Sequence, residues 1–90
     1  MYEFRLYLVG RTPKSVKIVE ELARLLEDVL DGRYNLEVID VIKNPELAAK
    51  NKIVATPALE RVSPEPIIRV VGDLSDKKSV LAALGLSARR

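Results

Sequence analysis

The chain has 90 residues, 48% of them apolar, with 15 basic and 13 acidic side chains giving a formal charge of +2. These values describe one small globular domain of nearly balanced charge, with no argument for a nucleic-acid or membrane surface. There is no cysteine and no histidine, which excludes a disulfide scaffold, a thiol nucleophile, a Cys-ligated metal and the commonest general base.

The aromatic side chains Tyr2, Phe4, Tyr7 and Tyr34 offer no base-stacking platform spread over two strands. No apolar run approaches the ~18 residues of a membrane span, and the start, Met1-Tyr-Glu-Phe-Arg-Leu, lacks the form of a signal peptide. The expectation is a cytoplasmic protein without a cofactor or metal.

Tyr2 to Val9 alternates partly and reads as a strand. Gly10 to Pro13 breaks it. Thr12-Pro13 opens a helix, since proline suits the first turn, with Ser15 as the alternative cap. Val16, Val19, Ala23, Leu26 and Leu30 form one stripe, widened by Leu22, Leu25 and Val29. Glu20 and Arg24 stand four apart on the polar face, and Asp31-Gly32 ends the helix.

Leu36 to Ile42 is largely apolar and is expected to be a strand buried on both faces, as in a parallel central strand. A strand, long helix and strand make a right-handed βαβ unit. Asn44-Pro45 is expected to cap a short helix from Glu46 to about Lys50. Ala58 to Val62 and Ile67 to Val71 read as strands around a Ser63-Pro64-Glu65-Pro66 turn. Ser75 is expected to cap a last helix, Asp76 to Leu84, with Gly85 as its stop. The tail, Leu86 to Arg90, has little to bury. The plan is α/β, βαβ then αββα, a mixed sheet flanked by helices within one domain, residues 1–90.

This order resembles the thioredoxin plan. In thioredoxins the first strand leads to a Cys-x-x-Cys loop; the corresponding stretch here is Arg11-Thr12-Pro13-Lys14. Thiol–disulfide exchange needs a thiolate, so redox chemistry is not available. The thioredoxin cis proline corresponds to Pro57 in Ile53-Val-Ala-Thr-Pro57, a credible cis site because cis X–Pro costs only ~0.5–1 kcal/mol.

A narrower resemblance spans nearly the whole chain. Leu6-Tyr-Leu-Val-Gly-Arg-Thr-Pro-Lys-Ser-Val16, Leu36-Glu-Val-Ile-Asp-Val-Ile-Lys-Asn-Pro45, Ile53-Val-Ala-Thr-Pro57 and Val71-Gly-Asp-Leu-Ser-Asp76 are similar to the KaiB family of circadian-clock proteins. The resemblance implies a non-enzymatic regulator that binds the first ATPase domain of a KaiC-type protein, modulates its phosphorylation or ATPase cycle and in full clocks helps sequester KaiA. Two alternatives stand beside it: a sensory domain related to the SasA kinase input domain, against which the expectation is that no linker or coiled coil follows, and a stress-related KaiC partner outside a daily clock. A degenerate thioredoxin-fold transferase is the weakest reading.

The resemblance also implies fold switching between a thioredoxin-like, KaiC-binding state and a tetrameric state with a rearranged second half. Three features favour the first. The tail Leu84-Gly-Leu-Ser-Ala-Arg-Arg90 has no β-branched or aromatic residue for the extra strand. The rearranged state would place the β-branched run Ile67–Val71 and Gly72 in helix, the glycine alone costing ~1 kcal/mol. Ala83 stands where the family often has glycine, stabilising the last helix by a similar ~1 kcal/mol. The free chain is therefore expected to be mainly thioredoxin-like and mostly monomeric.

For sites, the resemblance points to Lys52 towards KaiC, to Asn35, Leu36 and Glu37 opening the second strand, and to Lys17 towards KaiA. Glu37 departs from a position that is usually basic, and Lys17 replaces an arginine and so lacks the bidentate fork. Pro57, Pro64, Pro66 and Ala83 match the switching hinge. Each also has a plain reading, as solvated lysines, turn prolines or a helix residue. Arg11 and Lys14 sit at a helix start, where positive charge opposes the dipole; this suits a partner contact or an ordinary solvated loop. Asp40, inside an apolar run, needs a partner if buried, and suits a structural rather than a catalytic carboxylate.

Overall fold

The computed structural model describes residues 1–86. In chain order it holds β1 (Tyr2–Leu8), α1 (Pro13–Leu30), β2 (Tyr34–Asp40), α2 (Pro45–Lys50), β3 (Ala58–Ser63), β4 (Ile68–Val71) and α3 (Lys77–Leu84). The strands form one sheet in the order β2-β1-β3-β4. β1 runs parallel to β2, while β1–β3 and β3–β4 are antiparallel.

The two-residue period of β1 divides its side chains between two layers. Phe4, Leu6 and Leu8 join Leu59 and the buried faces of α1 (Leu22, Leu26, Leu30) and α3 (Val80, Leu81, Leu84). Tyr7 faces the other way, into a smaller cluster with Ile39 and Ala58, flanked by Leu47 of α2 and Ile53. Helices α1 and α3 thus cover one side of the sheet and α2 covers part of the other.

Local chemistry explains most boundaries. The Thr12 hydroxyl accepts from the Ser15 amide at 3.1 Å, so Thr12 is the cap of α1, with Pro13 in its first turn. Asp31, at φ 54, closes the helix through its amide to the Glu27 carbonyl, ahead of Gly32. Thr56–Pro57 is cis, as are Ser63–Pro64 and Glu65–Pro66.

The fold corrects several expectations. β2 is an edge strand, not a central one. It starts two residues early, at Tyr34, and stops at Asp40. Antiparallel β3 takes the inner place beside β1, so only Ile39 of β2 is buried, while Glu37 and Val38 are exposed. The apolar run read as double-sided burial instead gives Leu36 to α1 and Ile39 to α2. β1 ends at Leu8, leaving Val9 exposed, and Val16 in the α1 stripe is exposed as well. No ion pair joins the exposed Glu20 and Arg24 among the described residues.

Three polar assignments also change. Asp76, not Ser75, caps α3: its carboxylate accepts from the Ser79 amide at 3.2 Å and from the Ser79 hydroxyl at 2.8 Å. Ser75 is used one turn earlier, where its amide donates to Asp73 at 2.9 Å. Asn44 makes no side-chain cap, because its amide group donates back to the Asp40 carbonyl. Finally, Leu86 is buried against the core and its amide bonds to Leu81 at 2.8 Å. The rest of the tail, 87–90, lies outside the described residues, so the expectation that it forms no strand falls there too.

Candidate functional site

The α2 side of the sheet carries a row of charges that crosses every strand. Arg5 is in register with Glu37 of β2 and with Glu60 of β3, and Glu60 is in register with Arg69 of β4. The side chains use this alignment. Arg5 Nε lies 3.6 Å from Glu37 and Arg5 Nη1 lies 3.9 Å from Glu60. Arg69 grips the other end of Glu60, with Nη2 2.7 Å and Nε 3.2 Å from Oε2. Cross-strand opposite charges are the sheet's equivalent of helical i,i+4 pairs. Glu60 is 4% exposed, and the cations of Arg5 and Arg69 flank its carboxylate on both sides.

The row ends on the loop that holds Lys52. Arg69 Nη2 donates to the Asn51 carbonyl at 2.7 Å and Nη1 to the Lys52 carbonyl at 3.2 Å. Lys52 itself takes φ 57, a left-handed backbone that costs an L residue about 1–2 kcal/mol. Beneath it, the Asn51 side chain donates to the hydroxyl of buried Tyr7 at 2.9 Å. The Lys52 ammonium has no bonded partner among the described residues and is exposed.

The residues expected from sequence therefore fall into groups. Glu37 and Lys52 lie at opposite ends of one row. Asn35 shares the Glu37 side of edge strand β2, whereas Leu36 points the other way and packs under α1. Lys17 belongs to a separate groove of about 550 Å³ between α1 and the β4–α3 segment, lined also by Lys14, Leu22, Pro57, Leu74 and Lys77. Pro57 thus stands near Lys14, while Arg11 lines a different groove at the β1 and β2 ends. Pro64 and Pro66 form the β3–β4 turn, and Ala83 is exposed on α3.

Asp40 finds its partners in the backbone. Its Oδ1 accepts from the Gly10 amide at 3.0 Å and from the Ile42 amide at 2.9 Å. The Gly10 amide, then that of Ile42, hold the carboxyl below the usual carboxylate range. It fastens the β1 exit loop to the end of β2, a structural task.

Sequence reading missed Glu60, Arg61 and Arg69. Arg61 is 7% exposed and reaches through to α3, where Nη1 donates to the Leu84 carbonyl at 2.6 Å and Nη2 to Pro66 at 3.0 Å. The available signal was the charged Glu60-Arg61 pair inside an otherwise β-forming segment, with Arg69 at the mirrored place of the next strand.

The KaiB domain family matches residues 5–86. The chain belongs to the KaiB family. It is 48% identical over 85 residues to the circadian clock oscillator protein KaiB of Rippkaea orientalis, covering 94% of this chain and 82% of that one. Against KaiB of a Synechococcus strain the identity is 49% over 85 residues, 94% of this chain and 83% of the relative.

Among solved structures, the amino-terminal domain of Synechococcus elongatus SasA superposes on this KaiB-family chain with TM-score 0.76 and 28% identity, over 93% of this chain and 83% of that one. Thioredoxin 1 of Thermosipho africanus gives TM-score 0.71 at 18% identity, covering 92% and 90%. The fold is thus thioredoxin-like. Arg11 and Lys14 occupy the loop that would need cysteines, so this scaffold carries no thiol chemistry.

Proposed function

We propose that the chain is a non-enzymatic clock-type regulator that binds the first ATPase domain of a KaiC-type protein and alters its phosphorylation or ATPase cycle. The observation that carries this reading is the row from Glu37 through Arg5, Glu60 and Arg69 to the Lys52 loop. It organises one side of the sheet into an ordered polar surface, with Lys52 unpaired among the described residues at one end and the exposed Glu37 at the other. Exposed charges held on a rigid frame favour specific, steered association. Lys17, on the opposite side of the sheet, suits a contact with KaiA where KaiA is present. The free chain is a monomer in this fold, with the tetrameric rearranged state as its minor alternative.

Mixing the purified chain with a KaiC-type ATPase from the same genome tests the reading. Co-elution on size exclusion together with a changed ATPase rate is the expected result. Separate elution and an unchanged rate would overturn it. A second reading, a partner-sensing domain like that of SasA, draws on the TM-score of 0.76; binding to KaiC with no effect on its cycle would favour it.

A further inference from the structure

We propose that Arg69 is a positioning residue: it holds the Lys52 loop in its left-handed, partner-ready conformation while anchored on the buried Glu60 carboxylate. This rests on the reading that Lys52 faces the ATPase partner.

The geometry is one guanidinium serving two clients. Its Nε and Nη2 are fixed by Glu60, and the remaining donors of Nη1 and Nη2 meet the Lys52 and Asn51 carbonyls. A guanidinium presents donors in a rigid planar fork, which a lysine ammonium does not. Both bonded carbonyls belong to the residues that leave α2, where the Lys52 amide reaches Ala49 at 3.1 Å and the Ile53 amide reaches Ala48 at 2.9 Å. The loop is thus tied from two sides, by the helix end and by β4. Lys52 has φ 57, a conformation a non-glycine residue keeps only when its surroundings fix it. Arg5 completes the anchor by facing the other oxygen of Glu60 at 3.9 Å. β3 therefore contributes a carboxylate that touches no partner but sets where Lys52 stands.

Arg69→Lys tests this, since it keeps a cation beside Glu60 but removes the fork. Hydrogen exchange at the Lys52 and Ile53 amides should rise about tenfold, as for loss of one charge-assisted hydrogen bond, while the Leu6 and Leu59 amides keep their protection. Affinity for the KaiC-type ATPase should fall about tenfold, matching the same loss. The paired variant Glu60→Gln with Arg69→Leu removes the buried carboxylate together with its principal cation, so no buried charge is left unpaired, and should reproduce both effects. Unchanged Lys52 and Ile53 exchange in either folded variant overturns the proposal, whether or not the wild type binds. If the wild type fails to bind, the partner reading falls while the exchange result still decides the role of Arg69.

Discussion

Arg61 of β3 bonds the end of α3: its Nη1 stands 2.6 Å from the Leu84 carbonyl. A cation placed on the last carbonyls of a helix satisfies an otherwise orphaned acceptor and complements the helix dipole. The same guanidinium also holds Pro66 in the turn after β3. Strand, turn and closing helix are thus joined by one buried side chain. Arg61→Leu should lower stability by about 2 kcal/mol, the worth of a buried charge-assisted hydrogen bond. Gly85→Ala should act at the same point, because an added Cβ would lie 3.2 Å from Arg61 Nη1 at φ 73. Urea unfolding checks both; unchanged midpoints would remove Arg61 from the account.

The core of α1 gives a graded expectation. Leu26 is fully buried and Val16 is 43% exposed. Leu26→Ala should cost about 2–5 kcal/mol through lost burial and a cavity. Val16→Ala should cost no more than about 0.5 kcal/mol. Equal losses would mean that Val16 packs against the core after all.

Acid should destabilise the protein in part through three carboxylates. The Gly10 amide, then that of Ile42, depress Asp40; the Ser75 side chain, then its amide, depress Asp73; the Ser79 side chain, then its amide, depress Asp76. Each binds its proton less tightly folded than unfolded, so its contribution is complete above the unfolded value and lost as pH falls through the folded one. The urea midpoint should be level above about pH 5 and decline below about pH 4. Asp40→Asn should flatten part of that decline; a midpoint that rises on acidification would contradict the sign.

Much of this was readable in the chain. Thr12-Pro13, the α1 stripe, Asp31-Gly32 and the proline turn declare themselves through local chemistry, and their places hold within a residue or two. The place of β2 did not, because LEVIDVI has the same composition whether it lies at the centre or at the edge of a sheet. Only the antiparallel arrival of β3 beside β1 decides it. Glu37 was visible as an odd charge, but its pairing with Arg5 depends on register across β1 and β2. Glu60, Arg61 and Arg69 escaped for the same reason: charged residues in strands look solvated until their cross-strand neighbours are known.

The balance between the two proposed folds should depend on Ala83. It is exposed in α3, so Ala83→Gly removes little contact and acts through helix propensity, about 1 kcal/mol. Wild-type protein at micromolar concentration should sediment as a monomer, and Ala83→Gly should raise any tetramer fraction. A stable wild-type tetramer would contradict the assignment of the resting state.

The most direct measurement follows the backbone amides of the free chain by NMR as the first ATPase domain of a KaiC-type protein is added. Perturbations should concentrate at Lys52, Glu37, Asn35 and the strands between them, and Lys52→Glu should abolish them. Changes confined to the Lys17 groove, or none at saturating partner, would contradict a binding surface built on the charge row.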